Sequence, residues 1–185
     1  VFHCAGDHRD LRSGPSRRSP DRGHYELQDR HADALAQNLL GDVLLARKEY
    51  EASEKAYRHA MALNPLWQGP HNGLARLFLS RGHTEAAVVQ LEAAVGDEPR
   101  NIPAALTLGN LYEQRGQVEQ AISLYERVLR AAPDLWPAAN NLAFLLSEHR
   151  TSEADLNRAA LLAMRALRQQ PENPAVLDTL AWVQF

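Results

Sequence analysis

Eight histidines and a single cysteine are the side chains that could ligate a metal ion or act as acid, base or nucleophile. The histidines are scattered, and none is followed by a second one four residues later, the spacing that places two imidazoles on one helix face. Cys4 stands alone, so it forms neither a disulfide within the chain nor a cysteine-based zinc site. Sequence motifs of phosphate loops, dinucleotide folds and serine-nucleophile turns are absent. The chain is therefore predicted to hold no catalytic centre, no metal and no cofactor.

Composition narrows the remaining functions. Alanine and leucine supply 29 and 28 of the 185 residues, which is typical of a chain built from helices. A net charge of −3 argues against nucleic acid as a partner, because nucleic-acid-binding surfaces are usually strongly basic. No apolar run approaches the roughly 18 residues that cross a bilayer. These features predict a helical protein with no membrane span and argue against nucleic acid as its partner.

The first 24 residues differ from everything that follows them. They hold five arginines and three aspartates, with repeated serine, glycine and proline and few apolar side chains. Such a segment cannot bury enough apolar surface to offset its chain entropy. Residues 1–24 are therefore predicted to form a disordered or loosely packed tail, with a basic arm as the functional alternative, and residues 25–185 to form the folded array.

The folded part has an internal period. Four prolines recur at spacings of 34, 34 and 38 residues, namely Pro65, Pro99, Pro133 and Pro171. A period near 34 residues indicates a repeat architecture. Counting back from each proline gives units 34–67, 68–101, 102–135 and 136–173, followed by a truncated fifth unit, 174–185.

Equivalent positions of these units carry equivalent residue types. Position 7 is leucine in all five units. Position 8 is small, with Gly41, Ala75, Gly109 and Ala143. Position 24 is Tyr57, Leu91, Tyr125 and Ala163. Small residues let two helices approach closely, and large ones fill the space beside them. This pattern resembles the tetratricopeptide repeat (TPR), a helix–turn–helix unit.

Several local features follow from this frame. Helix starts are predicted near Pro103, because proline suits the first turn of a helix, and at Ser152, whose side chain can cap a helix with Asp155 as its partner. A second helix is predicted over 118–131. Position 15, usually glycine, is lysine in the first unit. The tryptophans at 67 and 136 are interpreted as apolar plugs at the joints between units.

The resemblance implies an all-α solenoid, a right-handed superhelix whose concave face is lined by the first helix of each unit. Asparagine both donates and accepts hydrogen bonds, so a ladder of asparagines could pair with the backbone of an extended peptide. The predicted partner-binding residues on this face are Asn38, Asp42, Asn72, Arg76, Thr107, Asn110, Gln114 and Asn141. The basic residues of the clamp that grips acidic chaperone tails are missing from both possible registers, so that function is excluded.

The predicted function is a non-enzymatic scaffold that binds a partner peptide or helix in the concave groove. The alternative is an assembly or regulatory TPR region of a larger protein, such as an enzyme or an envelope export component. The late repeats also resemble bacterial TPR lipoproteins of exopolysaccharide and PEP-CTERM systems, which leaves localisation open between cytoplasm and bacterial cell envelope. Since residues 174–185 end without a polar capping helix, the parent protein is expected to continue or to self-associate through this edge.

Overall fold

The structure, a computed structural model, describes residues 20–96 and 101–184, with side chains from residue 28 to residue 183 outside that gap. Within these ranges the chain forms only helices and short connections. The helices are α1 (Pro20–Ala46), α2 (Tyr50–Leu63), α3 (Gly69–Ser80), α4 (Thr84–Val95), α5 (Ile102–Gln114), α6 (Val118–Ala131), α7 (Trp136–His149), α8 (Glu153–Gln169) and α9 (Pro174–Gln184).

The N-terminal boundary differs from the one expected. Helix α1 begins at Pro20, so residues 20–24, which the sequence places in the tail, are helical. Residues 1–19, which make up the rest of that segment, lie outside the described residues, as does Pro99.

Each helix packs against the next one along the chain, and α1–α3 and α7–α9 also touch directly. We call α1, α3, α5, α7 and α9 the A helices and α2, α4, α6 and α8 the B helices. Helix α6 illustrates how the sequence specifies these helices. It occupies the predicted range 118–131, and apolar residues at helical spacing, among them Ala121, Tyr125 and Val128, form its buried face. The all-α TPR solenoid predicted from the sequence is confirmed.

The small residue at position 8 and the large one at position 24 fit each other within a unit. A Cβ atom added at Gly41 would lie 2.6 Å from a ring carbon of Tyr57, and one at Gly109 would lie 2.5 Å from Tyr125 Cζ. Both tyrosine rings are fully buried. Where position 24 is leucine or alanine, position 8 carries alanine instead. Glycine is therefore present where a ring occupies the space of a Cβ.

The turns inside the first three units share one geometry. Lys48, Gly82 and Gly116 lie at position 15 with φ of +62°, +73° and +68°. The next residue in each turn donates its N–H to a carbonyl five residues back. Glycine adopts this left-handed conformation without a steric penalty, whereas a side-chain-bearing residue does not. The first unit therefore carries a strained lysine in a turn that otherwise uses glycine.

Two predicted helix starts are confirmed. Ser152 caps α8, since its Oγ accepts the N–H of Asp155 at 3.1 Å and donates to the Asp155 carboxylate at 2.6 Å. Helix α5 begins at Ile102, directly before Pro103, and the side chain of Asn101 caps it.

The tryptophans at 67 and 136 are half-buried at the joints between units. None of the described helices combines the length and apolar character that a bilayer crossing requires.

Candidate partner-binding groove

The five A helices form one continuous layer, whose outer surface we call the A-helix groove. It is the surface that is concave in TPR proteins, and all eight predicted binding residues belong to its helices. Its character changes from one junction between A helices to the next, because the side chain at position 24 reaches it from the B-helix layer beneath. Two junctions are filled by polar side chains and two hold open cavities.

The α1–α3 junction is filled by Tyr57. Its hydroxyl donates a hydrogen bond to Asp42 Oδ1 at 2.7 Å, and the Arg76 guanidinium pairs with the same carboxylate oxygen. Gly73 lies against the ring, where a Cβ would clash. Burial, followed by the hydrogen bond to Asp42, raises the pKa of Tyr57, so the hydroxyl stays protonated and remains a donor. Asp42 and Arg76, two of the predicted binding residues, therefore pair with each other above a buried tyrosine.

The α5–α7 junction is filled in the same way by Tyr125. Its hydroxyl lies 2.6 Å from Glu113 Oε1 and 2.8 Å from Asn110 Oδ1, and it accepts a hydrogen bond from Asn141 Nδ2 at 3.0 Å. Asn141 Nδ2 also donates to Asn110 Oδ1 at 3.1 Å. Burial raises the pKa of Glu113, and the hydrogen bond from Tyr125 opposes this shift. Asn110 and Asn141 are therefore already hydrogen-bonded to each other.

The α3–α5 junction holds an open cavity of about 340 Å³. Its floor is apolar, and Leu91 stands where the neighbouring junctions have tyrosine. The Oδ1 atom of Asn72 is buried without a hydrogen-bond partner among the described residues. Three predicted residues, Asn72, Arg76 and Thr107, meet here. The cavity is lined by Gly69, Asn72, Ala75, Arg76, Leu79, Leu91, Pro103, Ala104 and Thr107.

The α7–α9 junction holds a second cavity of about 360 Å³. The residue at position 24 of this unit is Ala163, too small to fill the space. Asn140 is 93% buried, given its 7% relative exposure, yet its Oδ1 has no partner among the described residues. Phe144 and Trp182 are 38% and 56% exposed. The cavity is lined by Glu113, Asn140, Asn141, Phe144, Ala175, Asp178, Thr179 and Trp182.

Most of this second cavity lies outside the predicted set of binding residues, of which only Asn141 lines it. Asp178 and Trp182 occupy positions 5 and 9 of the fifth unit, and these positions face the groove in the preceding units. Their positions in the repeat were the sequence signal that could have placed Asp178 and Trp182 on this surface. The surroundings of Trp182 could not be assigned because they depend on how α9 packs against α7.

The remaining predicted residues stand apart from both cavities. Asn38 on α1 is half-buried, and its Oδ1 has no partner within the described chain. Gln114 is exposed at the end of α5. The four asparagines of the predicted ladder therefore differ: Asn38 and Asn72 have unpaired acceptors, whereas Asn110 and Asn141 pair with each other. Their role in binding stays a prediction.

The B-helix surface also has a cavity, of about 440 Å³, between α4 and α6. Polar groups at its edge are already engaged, since the Tyr112 hydroxyl donates to Glu92 at 2.8 Å and Arg127 donates to the carbonyl of Gly96. Ser123 is exposed in its wall. Over the part of the chain that the structure describes, no three His, Cys, Asp or Glu side chains come together as a metal site would require.

Comparisons with known proteins agree with this architecture. Tetratricopeptide repeat models match residues 34–65 and 78–143, together just over half of the chain. Tetratricopeptide repeat protein 21A of Mus musculus is 33% identical over 107 residues, which are 58% of this chain and 8% of that protein. The chloroplastic tetratricopeptide repeat domain-containing protein PYG7 of Arabidopsis thaliana is 32% identical over 129 residues, covering 64% of this chain and 42% of that protein.

Solved structures show the same fold at lower identity. A tetratricopeptide repeat protein from Parabacteroides merdae superposes with a TM-score of 0.69 at 16% identity, covering 83% of this chain and 59% of that one. The similar proteins thus come from eukaryotes and bacteria, and this chain spans less than half the length of the two curated relatives. On its repeats, its fold and these matches, the chain belongs to the tetratricopeptide repeat family.

Proposed function

We propose that this chain is a non-enzymatic scaffold whose A-helix groove binds an extended peptide segment of a partner protein. The observation that carries the proposal is the alternation along the groove, where filled junctions at α1–α3 and α5–α7 alternate with cavities at α3–α5 and α7–α9. Each cavity is lined by an asparagine, Asn72 in one and Asn140 in the other, whose buried Oδ1 has no hydrogen-bond donor among the described residues. An unsatisfied buried acceptor is costly, and a peptide N–H or side-chain donor would satisfy it.

The spacing of the cavities sets the length of the segment. Packed helices lie about 8–10 Å apart, so two steps along the A helices separate the cavity centres by about 16–20 Å. An extended chain advances about 3.3 Å per residue. A peptide that fills both cavities would therefore place its two anchoring side chains about five or six residues apart.

A selection from a phage-displayed library of random dodecapeptides tests the groove directly. Enriched peptides would be labelled with fluorescein and titrated by fluorescence anisotropy against the parent chain and two variants. Thr107→Trp fills the α3–α5 cavity, and Ser123→Trp makes a similar change in the wall of the B-helix cavity. Circular dichroism would establish that both variants remain helical.

We expect Thr107→Trp to weaken binding more than about 10-fold and Ser123→Trp to change it by less than about 2-fold, because a few buried anchors dominate affinity. The opposite ranking would move the site to the B-helix surface. Failure to enrich any peptide that binds the parent chain would refute the proposal.

The alternative, an assembly region of a larger enzyme or an envelope export component, stays a prediction, as does the resemblance to exopolysaccharide lipoproteins. Self-association through α9 is also untested, although Leu177 on this helix is 44% exposed. A molecular mass that rises with protein concentration, and that Leu177→Lys holds at the monomer value, would support self-association.

A further inference from the structure

We propose that the α7–α9 cavity binds a basic side chain, arginine or lysine, of the partner peptide. This inference rests on the proposed function, since it names the chemistry of one anchor in the A-helix groove. Three kinds of group that recognise a cation meet in this cavity: two carboxylates, a buried amide oxygen and two aromatic side chains.

The carboxylates give the cavity its charge. Glu113 and Asp178 both line it, and none of the eight lining residues is basic. Asp178 makes no hydrogen bond or ion pair within the described residues. Glu113 receives a hydrogen bond from the Tyr125 hydroxyl on one of its oxygens, Oε1. Glu113 is partly buried without a cation beside it, so its carboxylate is poorly solvated and an incoming guanidinium or ammonium group would be stabilised there; the exposed Asp178 adds a second negative charge.

Asn140 supplies the independent observation. It is almost fully buried in the cavity wall, and its Oδ1 accepts no hydrogen bond from the described residues. An amide oxygen, like a carboxylate, can only accept. The carboxylates that line this cavity, together with the unpaired Asn140 amide oxygen in its wall, favour a ligand that brings several N–H donors, as the basic side chains do.

The aromatic residues complete the match. Phe144 on α7 and Trp182 on α9 line the same cavity and remain partly exposed. Aromatic faces attract cations, tryptophan most strongly, and they also cover the apolar stem of a long basic side chain. An acidic side chain would bind less tightly because the carboxylates repel it. A purely apolar side chain would also bind less tightly because it leaves the carboxylates unpaired.

The α3–α5 cavity shows the contrast. It contains Arg76 and no acidic residue, and its other walls are largely apolar. Arg76 is itself paired with Asp42, so the α3–α5 cavity offers a cation no acidic lining residue, and a basic anchor is favoured in the α7–α9 cavity. A peptide with one basic and one apolar or acidic anchor would consequently bind in a single direction.

The test uses a small probe of known charge. N-acetyl-argininamide would be titrated into the ¹⁵N-labelled chain while the indole N–H resonance of Trp182 is followed. That resonance is assigned by its absence in Trp182→Phe. The matched neutral probe is N-acetyl-citrullinamide, which replaces one guanidinium nitrogen with oxygen and removes the charge. Asp178→Asn and Glu113→Gln each remove a carboxylate charge, and Glu172→Gln removes one from the exposed α8–α9 turn as the control.

We expect argininamide to shift the Trp182 resonance and to bind at least about 5-fold more tightly than citrullinamide, which is the scale of cation–aromatic and charge-assisted contacts. Asp178→Asn should weaken argininamide binding about 3-fold or more, and Glu172→Gln should leave it unchanged within about 1.5-fold. Because Asp178 is exposed and unpartnered, this variant should fold even if Glu113→Gln perturbs the Tyr125 contacts.

Equal binding of the two probes, or equal loss in Asp178→Asn and Glu172→Gln, would overturn the inference. Its failure can be separated from failure of the proposed function. If library peptides bind the groove but replacement of arginine by citrulline has no effect, the charge preference is wrong and the groove stands. If argininamide binds but no peptide does, the cavity is a cation site and the peptide scaffold is wrong.

Discussion

Replacing Gly109 with alanine should destabilise the chain, although alanine is the better helix former. The added Cβ would lie 2.5 Å from Tyr125 Cζ and 2.6 Å from both Cε1 and the hydroxyl oxygen. The ring cannot move aside freely, because it is fully buried and its hydroxyl is bonded to Glu113 and Asn141. Alanine at this position therefore has to displace either the ring or helix α5.

The magnitude follows from three terms. Overpacking a filled core costs about 1–3 kcal/mol. Weakening the hydroxyl's hydrogen bonds adds about 1 kcal/mol. The higher helix propensity of alanine than of glycine offsets about 1 kcal/mol of this loss. The expected net loss is about 2 kcal/mol. With Tyr125→Leu as background, as in the natural pair Ala75 and Leu91 of the second unit, the clash disappears and the same glycine substitution should stabilise by up to about 1 kcal/mol.

Urea unfolding of the four proteins, followed by far-UV circular dichroism, measures this double-mutant cycle. The expected coupling between the two positions is about 3 kcal/mol, with a change of sign for the glycine substitution. A Gly109→Ala variant that is as stable as the parent in both backgrounds would refute the idea that the ring dictates glycine here. An equal loss in both backgrounds would point to the backbone instead.

Three further predictions test other parts of the structure. Lys48→Gly should raise the free energy of unfolding by about 1 kcal/mol, because it removes a side chain from a residue in the left-handed conformation. Gly116→Lys should lower that free energy by a similar amount in urea titrations. If neither substitution changes the free energy of unfolding, the lysine in the first turn is not strained. Ser152→Ala should cost about 1 kcal/mol through loss of the α8 cap, while Ser123→Ala on an exposed face should be nearly neutral in thermal melts. Because burial raises the pKa of Glu113 above 4.5, the folded chain holds this proton more tightly, and stability should fall as pH rises from 4.5 through the raised pKa. Glu113→Gln should reduce this dependence of stability on pH, measured as urea unfolding midpoints from about pH 4 to 7. If the pH dependence is unchanged in the variant, other titratable groups cause the decrease in stability.

Much of the architecture could be predicted because it repeats. The register of the prolines placed the helix pairs, and the range 118–131 and the Ser152 cap follow from local sequence. The tail boundary could not be fixed to within a few residues, since helix α1 starts in a segment of poor helical composition. Helix ends of this kind depend on packing as well as on propensity.

The candidate site was only partly predictable, for a different reason. Repeat position shows that Asn110 and Asn141 lie on the same surface, but it does not show that they bond to each other over a tyrosine hydroxyl from the layer below. The cavities likewise arise from what position 24 fills in one unit and leaves empty in the next. Such features depend on distances between side chains about 30 residues apart, which a single sequence does not provide.

The alternating junctions also bear on the elasticity of the array. Tyr57 and Tyr125 link neighbouring A helices through buried rings and hydrogen bonds, whereas the α3–α5 junction holds a cavity and Leu91 at the equivalent position. We expect bending of the solenoid to concentrate at this α3–α5 junction, because α7 and α9 also pack directly against each other. A ligand bound in the α3–α5 cavity would then change the curvature of the whole stack, so that occupancy of a small cavity alters the separation of its two ends.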